Sequence, residues 1–304
     1  MLNRKITFKF THMLLAVSVT TLAACGGGGG GSSKKTTDIT PVPLVKPCNT
    51  ISLGSDQECL TVNERASILY KPADKQSYDG IAIYLHGAPG KPSKVFDIFD
   101  GKSISDQFNL ISIAPEGNGS DYQWNSSNTG SSGTNNDINF INELIDNIQA
   151  NYNLSTQNVY ILGYSAGGFM AYKLACEMPE KLTGIISLAG QHRGDTANCP
   201  TSTPLAIHHI HSSADLDVPF AGREMGNIAS VDDTIALWTL KNGCSQESEL
   251  TEQAGVTNNS PGTNTQQYLG CVKPVTLSTL LAVQHEDDYL SDRLLATFEY
   301  MFSL

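Results

Sequence analysis

The sequence predicts an α/β domain with a mostly parallel central sheet and helices on both faces. Three observations carry this. Short, nearly continuous apolar runs recur at residues 81–85, 110–114, 159–162, 185–188 and 205–210, as in strands buried on both faces. Segments with helical spacing fall between and after them. Gly, Pro and Asn punctuate the joints.

The first 24 residues are not part of that domain. Arg4, Lys5 and Lys9 precede an apolar stretch that starts at Met13 and is short for a membrane span. Leu22-Ala23-Ala24-Cys25 closes it. This is the pattern of a bacterial lipoprotein signal peptide, cut before Cys25, whose thiol is then acylated. The glycine after Cys25, by resemblance to lipoproteins in general, points to the outer membrane, on its periplasmic or surface face, with plain secretion as the alternative. Residues 25–47 begin with a run from Gly26 to Gly31 and continue rich in Ser, Thr and Pro, so they read as a flexible tether. Residues 48–304 remain for one domain, long enough for one sizeable core.

Charge narrows the partners. The chain carries a net charge of −11, and the signal segment holds only cations, so the exported part is more acidic still. No basic cluster follows Lys34-Lys35, which argues against nucleic acid. Neutral or apolar substrates fit an acidic surface better than polyanions. Apart from Cys25, the cysteines are Cys48, Cys59, Cys176, Cys199, Cys244 and Cys271. An even number in an exported chain reads as disulfides. Sequence alone does not choose the pairing; neighbours along the chain would give Cys48–Cys59, Cys176–Cys199 and Cys244–Cys271. No C-x-x-C spacing supports a metal site.

In chain order, residues 66–70 read as an early strand ending before Pro72. Residues 81–85 form a central strand that runs into His86-Gly87-Ala88-Pro89-Gly90, a turn-rich loop. Residues 110–114 form the next strand. A long loop rich in Gly, Ser and Asn follows, and its aromatics, Tyr122 and Trp124, either line a cleft or anchor the loop to the core. Asp137 opens a helix as N-cap or first-turn carboxylate, with Ile138, Ile141, Leu144, Ile145 and Ile148 on one stripe. Residues 185–190 and 205–210 are further strands. Residues 234–241 form a helix bearing Trp238, 245–267 a polar surface loop or hairpin, 275–283 the last strand and 290–302 a terminal helix.

Residues 158–174 carry the chemistry. Val159, Tyr160, Ile161 and Leu162 make a strand, Gly163-Tyr164-Ser165-Ala166-Gly167 fits G-x-S-x-G, and an apolar helix follows. Strand, tight turn and helix in that order give the motif its meaning as a nucleophile elbow. Ser165 is then the nucleophile, with the backbone N–H of Ala166 aimed at a developing oxyanion. In α/β-hydrolases the loop after an early central strand supplies a second donor, which here is the N–H of Ala88; His86 bonds its own loop. The triad acid follows a later strand. Asp215 is the leading candidate and Asp217 the alternative. With the order Ser, acid, His, the one histidine after Asp215 is His285. His208, His209 and His211 resemble a metal cluster, but His208 and His209 face opposite sides of a strand, so hydrogen-bonding roles are expected.

With these residues in place, the chain resembles the secreted poly(3-hydroxybutyrate) depolymerase and feruloyl esterase-type family of α/β-hydrolases. The resemblance rests on residues 137–146, on 158–176 with GYSAGG, on His209-Ile210-His211 with Ala214-Asp215 and Val218-Pro219-Phe220, and on Trp238 with Cys244 and Cys271. It implies the α/β-hydrolase fold, and Ser165, Asp215 and His285 as triad. It also implies Cys176–Cys199 and Cys244–Cys271 bridges and a serine esterase needing no metal or cofactor. Polyhydroxyalkanoate oligomers, feruloyl or acyl polysaccharide esters and small esters are the candidate substrates, and a monomer is expected. The chain departs from the family at Ser212, where glycine is usual, and at Glu286-Asp287-Asp288, where the family reads x-Trp-Pro after its histidine. Two other functions remain as alternatives: a non-catalytic surface-binding lipoprotein on the same scaffold, and a serine peptidase of related fold.

Overall fold

The computed structural model describes residues 48, 50–118, 123–126, 136–154 and 158–304, all within the compact unit Pro41–Leu304. The expected signal peptide, Cys25, the tether and Tyr122 lie outside the described residues.

The sheet has ten strands: β1 Glu58–Val62, β2 Arg65–Tyr70, β3 Gly80–Leu85, β4 Leu110–Pro115, β5 Val159–Tyr164, β6 Gly184–Leu188, β7 Ala206–Ser212, β8 Ser248–Gln253, β9 Thr263–Tyr268 and β10 Val275–Leu280. Their order is β1-β2-β4-β3-β5-β6-β7-β10-β9-β8. The middle, from β4 to β10, is parallel, and both edges are antiparallel. Every residue of β3, β4, β5, β6 and β7 is buried, which is why they read as mostly apolar runs; β7 is the exception, with three buried histidines.

Alternation along the strands sends side chains to two cores. Ile81, Ile83, Val159 and Ile161 join one with α3 (Asn136–Tyr152), α4 (Ala166–Glu177) and α5 (Val231–Lys241). Ala82, Tyr84, Tyr160 and Leu162 join the other with α1 (Pro92–Ile98), α2 (Gly101–Phe108) and α6 (Ser291–Phe298). Each fully buried Ile or Leu contributes about 1.5–3 kcal/mol. The helix ends have local causes. Pro92 occupies the first turn of α1, Asp100 caps α2 by accepting from Ser103 N, and Ser230 caps α5 by accepting from Asp233 N.

Three sequence expectations are refined. Residues 245–267 do form a hairpin, but it extends the sheet through β9 and β10 instead of standing apart. The last strand stops at Leu280, and the terminal helix gives way at Glu299 to a 3-10 turn. Asp137 is a first-turn carboxylate, yet it faces inward. It pairs with Arg65 at 2.6 Å and accepts from Asn125 N at 2.6 Å, tying β2 and the 123–126 segment to α3.

Disulfides join Cys48–Cys59, Cys176–Cys199 and Cys244–Cys271. The second closes a separation of 23 residues between the end of α4 and the segment before β7. Replacing both its cysteines with alanine is expected to lower stability by about 3 kcal/mol. The urea midpoint of the double variant against wild type measures this.

Candidate active site

The strand β5 delivers the chain into α4 through Ser165, whose φ of 54° and ψ of −116° lie outside the helical and extended regions. A non-glycine residue held there stores about 1–3 kcal/mol, which the packed strand and helix must hold in place. The flanking glycines are required by close approach. A Cβ on Gly163 would lie 2.2 Å from Gly167 O, and one on Gly167 would lie 1.9 Å from Leu85 O. Neither backbone neighbour can swing away as a side chain could. Gly167→Ala should therefore cost more than the roughly 1–3 kcal/mol usual for core overpacking, read as a lowered thermal midpoint and poor soluble yield.

Three side chains from separate elements meet above this turn. Ser165 Oγ lies 2.9 Å from His285 Nε2, and His285 Nδ1 lies 2.7 Å from Asp215 Oδ2. A carboxylate oxygen only accepts, so Nδ1 carries the proton and the Nε2 lone pair faces the serine hydroxyl. His285 sits on the loop after β10, and Asp215 on the loop after β7. Asp215 Oδ1 also accepts from the N–H groups of Asp217 and Val218, at 2.9 and 2.8 Å. Burial alone would raise the Asp215 pKa. Hydrogen bonds from His211, His285 and Val218 N–H outweigh it and hold the carboxyl well below the usual range. Of the two acids left open by the sequence, Asp215 is the one joined to His285. Asp217 gives its N–H to Asp215 and lines the mouth of the cleft.

The cleft measures about 230 Å³ and is bounded by Gly87, Ala88, Ser165, Lys94, His285 and Glu286, among others. Ala166 opens α4, so its N–H has no intrahelical acceptor. Across the cleft, a Cβ on Gly87 would lie 3.3 Å from Ser165 Cβ, so the loop after β3 passes directly beside Ser165, with Ala88 next to it at the surface. His86 holds that loop. Its Nδ1–H donates to Gly87 O at 2.6 Å, and its Nε2 accepts from Gly117 N at 2.9 Å. Burial lowers the His86 pKa, only partly opposed by the bond to Gly87, so the ring stays neutral as this pattern requires.

Trp124 is an anchor and not a cleft wall. It is buried, packs 5.0 Å from the His86 ring and donates Nε1–H to His86 O at 2.8 Å. It thus ties the 123–126 segment to the end of β3, at the start of the loop that bears Ala88. Tyr122, its proposed companion, lies outside the described residues.

The roles of Tyr164 and Lys94 carry no signal in the sequence. Tyr164, the variable residue before Ser165, stacks on His285 with ring centroids 5.4 Å apart and donates its hydroxyl to His285 O at 2.7 Å. The same hydroxyl lies 3.2 Å from Glu286 Oε1, and Glu286 pairs with Lys94 of α1. That ion pair holds the Glu286 pKa below its usual value. The polar wall stands at one side of the cleft. Asp287, at the position where the resembled family has tryptophan, instead accepts from Gln284 N at 3.2 Å and closes the histidine loop on itself. No spacing signal links Lys94 to Glu286, because the two come from opposite ends of the domain. Among the described residues, no cluster of His, Cys, Asp and Glu is placed to hold a metal ion.

Comparison with known proteins finds esterases and depolymerases among the similar chains. Probable feruloyl esterase C of Aspergillus niger is 27% identical over 225 residues, covering 71% of this chain and 74% of that protein. The poly(3-hydroxybutyrate) depolymerase of Ralstonia pickettii is 31% identical over 137 residues, covering 41% of this chain and 28% of that protein. This chain spans only 25% and 21% of the length of two further curated relatives that it matches. Among solved structures, the acetyl xylan esterase from Aspergillus awamori superposes with a TM-score of 0.57 at 17% identity, over 80% of this chain and 99% of that one. The fold is that of the α/β-hydrolases. The Phospholipase/Carboxylesterase family matches residues 74–230, more than half of the chain and the stretch that contains Ser165 and Asp215, and the protein belongs to that family.

Proposed function

We propose that the protein is an exported serine esterase that cleaves carboxylic esters through Ser165, His285 and Asp215. The observation that carries this is the hydrogen-bonded line from Ser165 Oγ through His285 to Asp215, opening on a cleft lined by Gly87, Ala88 and Ser165. Ser165 Oγ attacks the ester carbonyl while His285 Nε2 takes its proton. The N–H groups of Ala166 and Ala88 receive the oxyanion, each worth about 3–4 kcal/mol in comparable sites. The tetrahedral adduct collapses, and His285 returns the proton to the departing alcohol. Water, deprotonated by His285, then attacks the acyl-enzyme and releases the acid and free Ser165. Asp215 keeps the imidazole oriented and stabilises its cation. The scheme uses no metal or cofactor.

The names of the similar proteins guide the substrate class: feruloyl and acetyl esters of polysaccharide, and hydroxybutyrate oligomers. The small cleft and its Lys94–Glu286 wall favour a short acyl group over a long chain. Leu22-Ala23-Ala24-Cys25 supports anchoring through a lipidated Cys25, and three disulfides fit an oxidising compartment.

A fluorophosphonate probe should label the purified protein at Ser165. Unlabelled protein should turn over nitrophenyl acetate, methyl ferulate or hydroxybutyrate oligomers, and prior labelling should abolish that turnover. A wild-type protein that neither labels nor hydrolyses any of these esters would leave the non-catalytic binding lipoprotein as the better account. Metabolic labelling with a clickable palmitate, lost on Cys25→Ser, tests the anchor.

A further inference from the structure

Beside Asp215 lies a chain of buried polar groups that the mechanism above does not use, and it reaches the same Oδ2 that His285 bonds. His209 and His211 sit two residues apart on β7, so both rings point to the face covered by α4, while His208 points to the opposite face. All three are fully buried. His208 bonds Ser278 Oγ and Tyr300 Oη at 2.9 and 3.2 Å and belongs to the packing under α6. The other two form a line. Tyr172 Oη of α4 lies 3.0 Å from His209 Nδ1, and His209 Nε2 lies 3.1 Å from His211 Nδ1. His211 Nε2 lies 2.8 Å from Val218 O and 3.5 Å from Asp215 Oδ2.

With both rings neutral, the direction of every bond in this line follows from its last member. Val218 O is a carbonyl and can only accept, and the Asp215 carboxylate likewise. His211 Nε2 therefore carries a proton. Burial disfavours the charged form of His209 and lowers its pKa well below the ordinary value. A neutral His209 has one N–H to give. For each contact to join a donor to an acceptor, His209 Nε2–H must donate to His211 Nδ1, and Tyr172 O–H must donate to His209 Nδ1. Burial also raises the Tyr172 pKa, so its hydroxyl keeps the proton it donates. Inverting any single ring would set two donors or two lone pairs against each other in a dry core, at a cost of about 1–3 kcal/mol.

We propose that His211, fixed as its Nε2–H tautomer by His209 and Tyr172, is a positioning residue for Asp215. Its N–H spans the start and end of the acid loop, drawing Val218 O and Asp215 Oδ2 towards one ring. The loop that carries the acid is thereby tied to β7. Through Tyr172, two turns beyond Ser165 on the same helix, it is tied to the element that carries the nucleophile. The acid and the serine come from different elements, and this buried line fixes their separation from below. The proposal rests on the triad assignment.

The test combines a signature of the line itself with kinetics on the whole protein. Imidazole nitrogen NMR of uniformly labelled wild type should show His209 and His211 both as Nε2–H tautomers, and Tyr172→Phe should perturb both spectra. A proton on His211 Nδ1 in place of Nε2 overturns the proposal whatever the activity. In kinetics, His211→Leu should lower kcat by roughly 10- to 100-fold with KM within about twofold of wild type, because misplacement of a catalytic group is costly while substrate binding is untouched. His211→Gln places an amide N–H near the lost Nε2–H and should recover most of the loss. Tyr172→Phe, the mildest change, serves if His211→Leu does not fold, and should lower kcat several-fold. Equal kcat in wild type and Tyr172→Phe, with unshifted His211 signals, sinks the idea. Fluorophosphonate labelling separates the two claims: an unlabelled wild type refutes the triad assignment, whereas equal labelling rates for wild type and His211→Leu refute only the role of His211.

Discussion

Ser165→Ala is expected to lower kcat by about 10⁶ and to abolish fluorophosphonate labelling, with the fold intact. The size of the loss follows from the geometry. Ser165 Oγ is the atom 2.9 Å from the general base, in a φ of 54° that projects it into the cleft. Alanine has no oxygen to attack the ester, and no neighbouring hydroxyl stands in that line. The backbone donors of Ala166 and Ala88 survive the substitution. A residual rate of roughly 10³–10⁴ over water should remain, from oxyanion stabilisation and binding alone. Steady-state hydrolysis of nitrophenyl acetate at high enzyme concentration measures that residue. Circular dichroism should match wild type and the urea midpoint should stay within a few tenths of a kcal/mol, since alanine keeps the Cβ and the backbone conformation of the turn. A variant that keeps more than one per cent of wild-type activity, or still labels, would place the nucleophile elsewhere.

The parts of this site that could be read in the sequence are those whose signal is local. GYSAGG after a run of Val, Tyr, Ile and Leu predicts the elbow because strand, turn and helix are contiguous. His285 was reachable by elimination, and the inner strands because burial on both faces leaves few polar residues to interrupt them; those that do, such as Ser112, Ser187 and the histidines of β7, bond inside the core. What was missed lacks a local signature. The helices α1 and α2 are seven and eight residues long, with two and one apolar buried side chains respectively, too few for a period to register. Strands β8 and β9 are exposed or half-buried at almost every position, so alternation gives no sign of them. Trp124 could not be assigned from its loop, because its partner, the carbonyl of His86, belongs to another strand's end. Tyr164 hid in a variable position of the motif. Its role appears only when the histidine loop folds over it.

Asp215→Asn is the second large effect expected, a fall of about 10⁴ in kcat with nearly unchanged KM. An amide in this position can keep the Oδ1 bonds from Asp217 and Val218 N–H, so the loop should stay folded. Its nitrogen then faces His285 Nδ1 at the place where the Oδ2 carboxylate oxygen stood 2.7 Å away. A donor there favours the opposite imidazole tautomer, with the proton on Nε2 and no lone pair towards Ser165. The base is silenced without being moved. The wild-type carboxyl, held below the ordinary carboxylate range, also links folding to pH in one direction. Its contribution is fully present above the unfolded-state pKa, near the ordinary value of about 4. It is lost only as the pH falls through the lower folded value. Asp215→Asn should therefore flatten the stability profile on the acid side of about pH 4, measured as urea midpoints from pH 2 to 7. Asp217→Asn is the control, because that side chain only lines the cleft mouth while its backbone N–H does the holding. Activity within about threefold of wild type is expected for it. If the two variants exchanged behaviour, the acid would be Asp217, and the 2.7 Å contact to His285 would not be the one that catalysis uses.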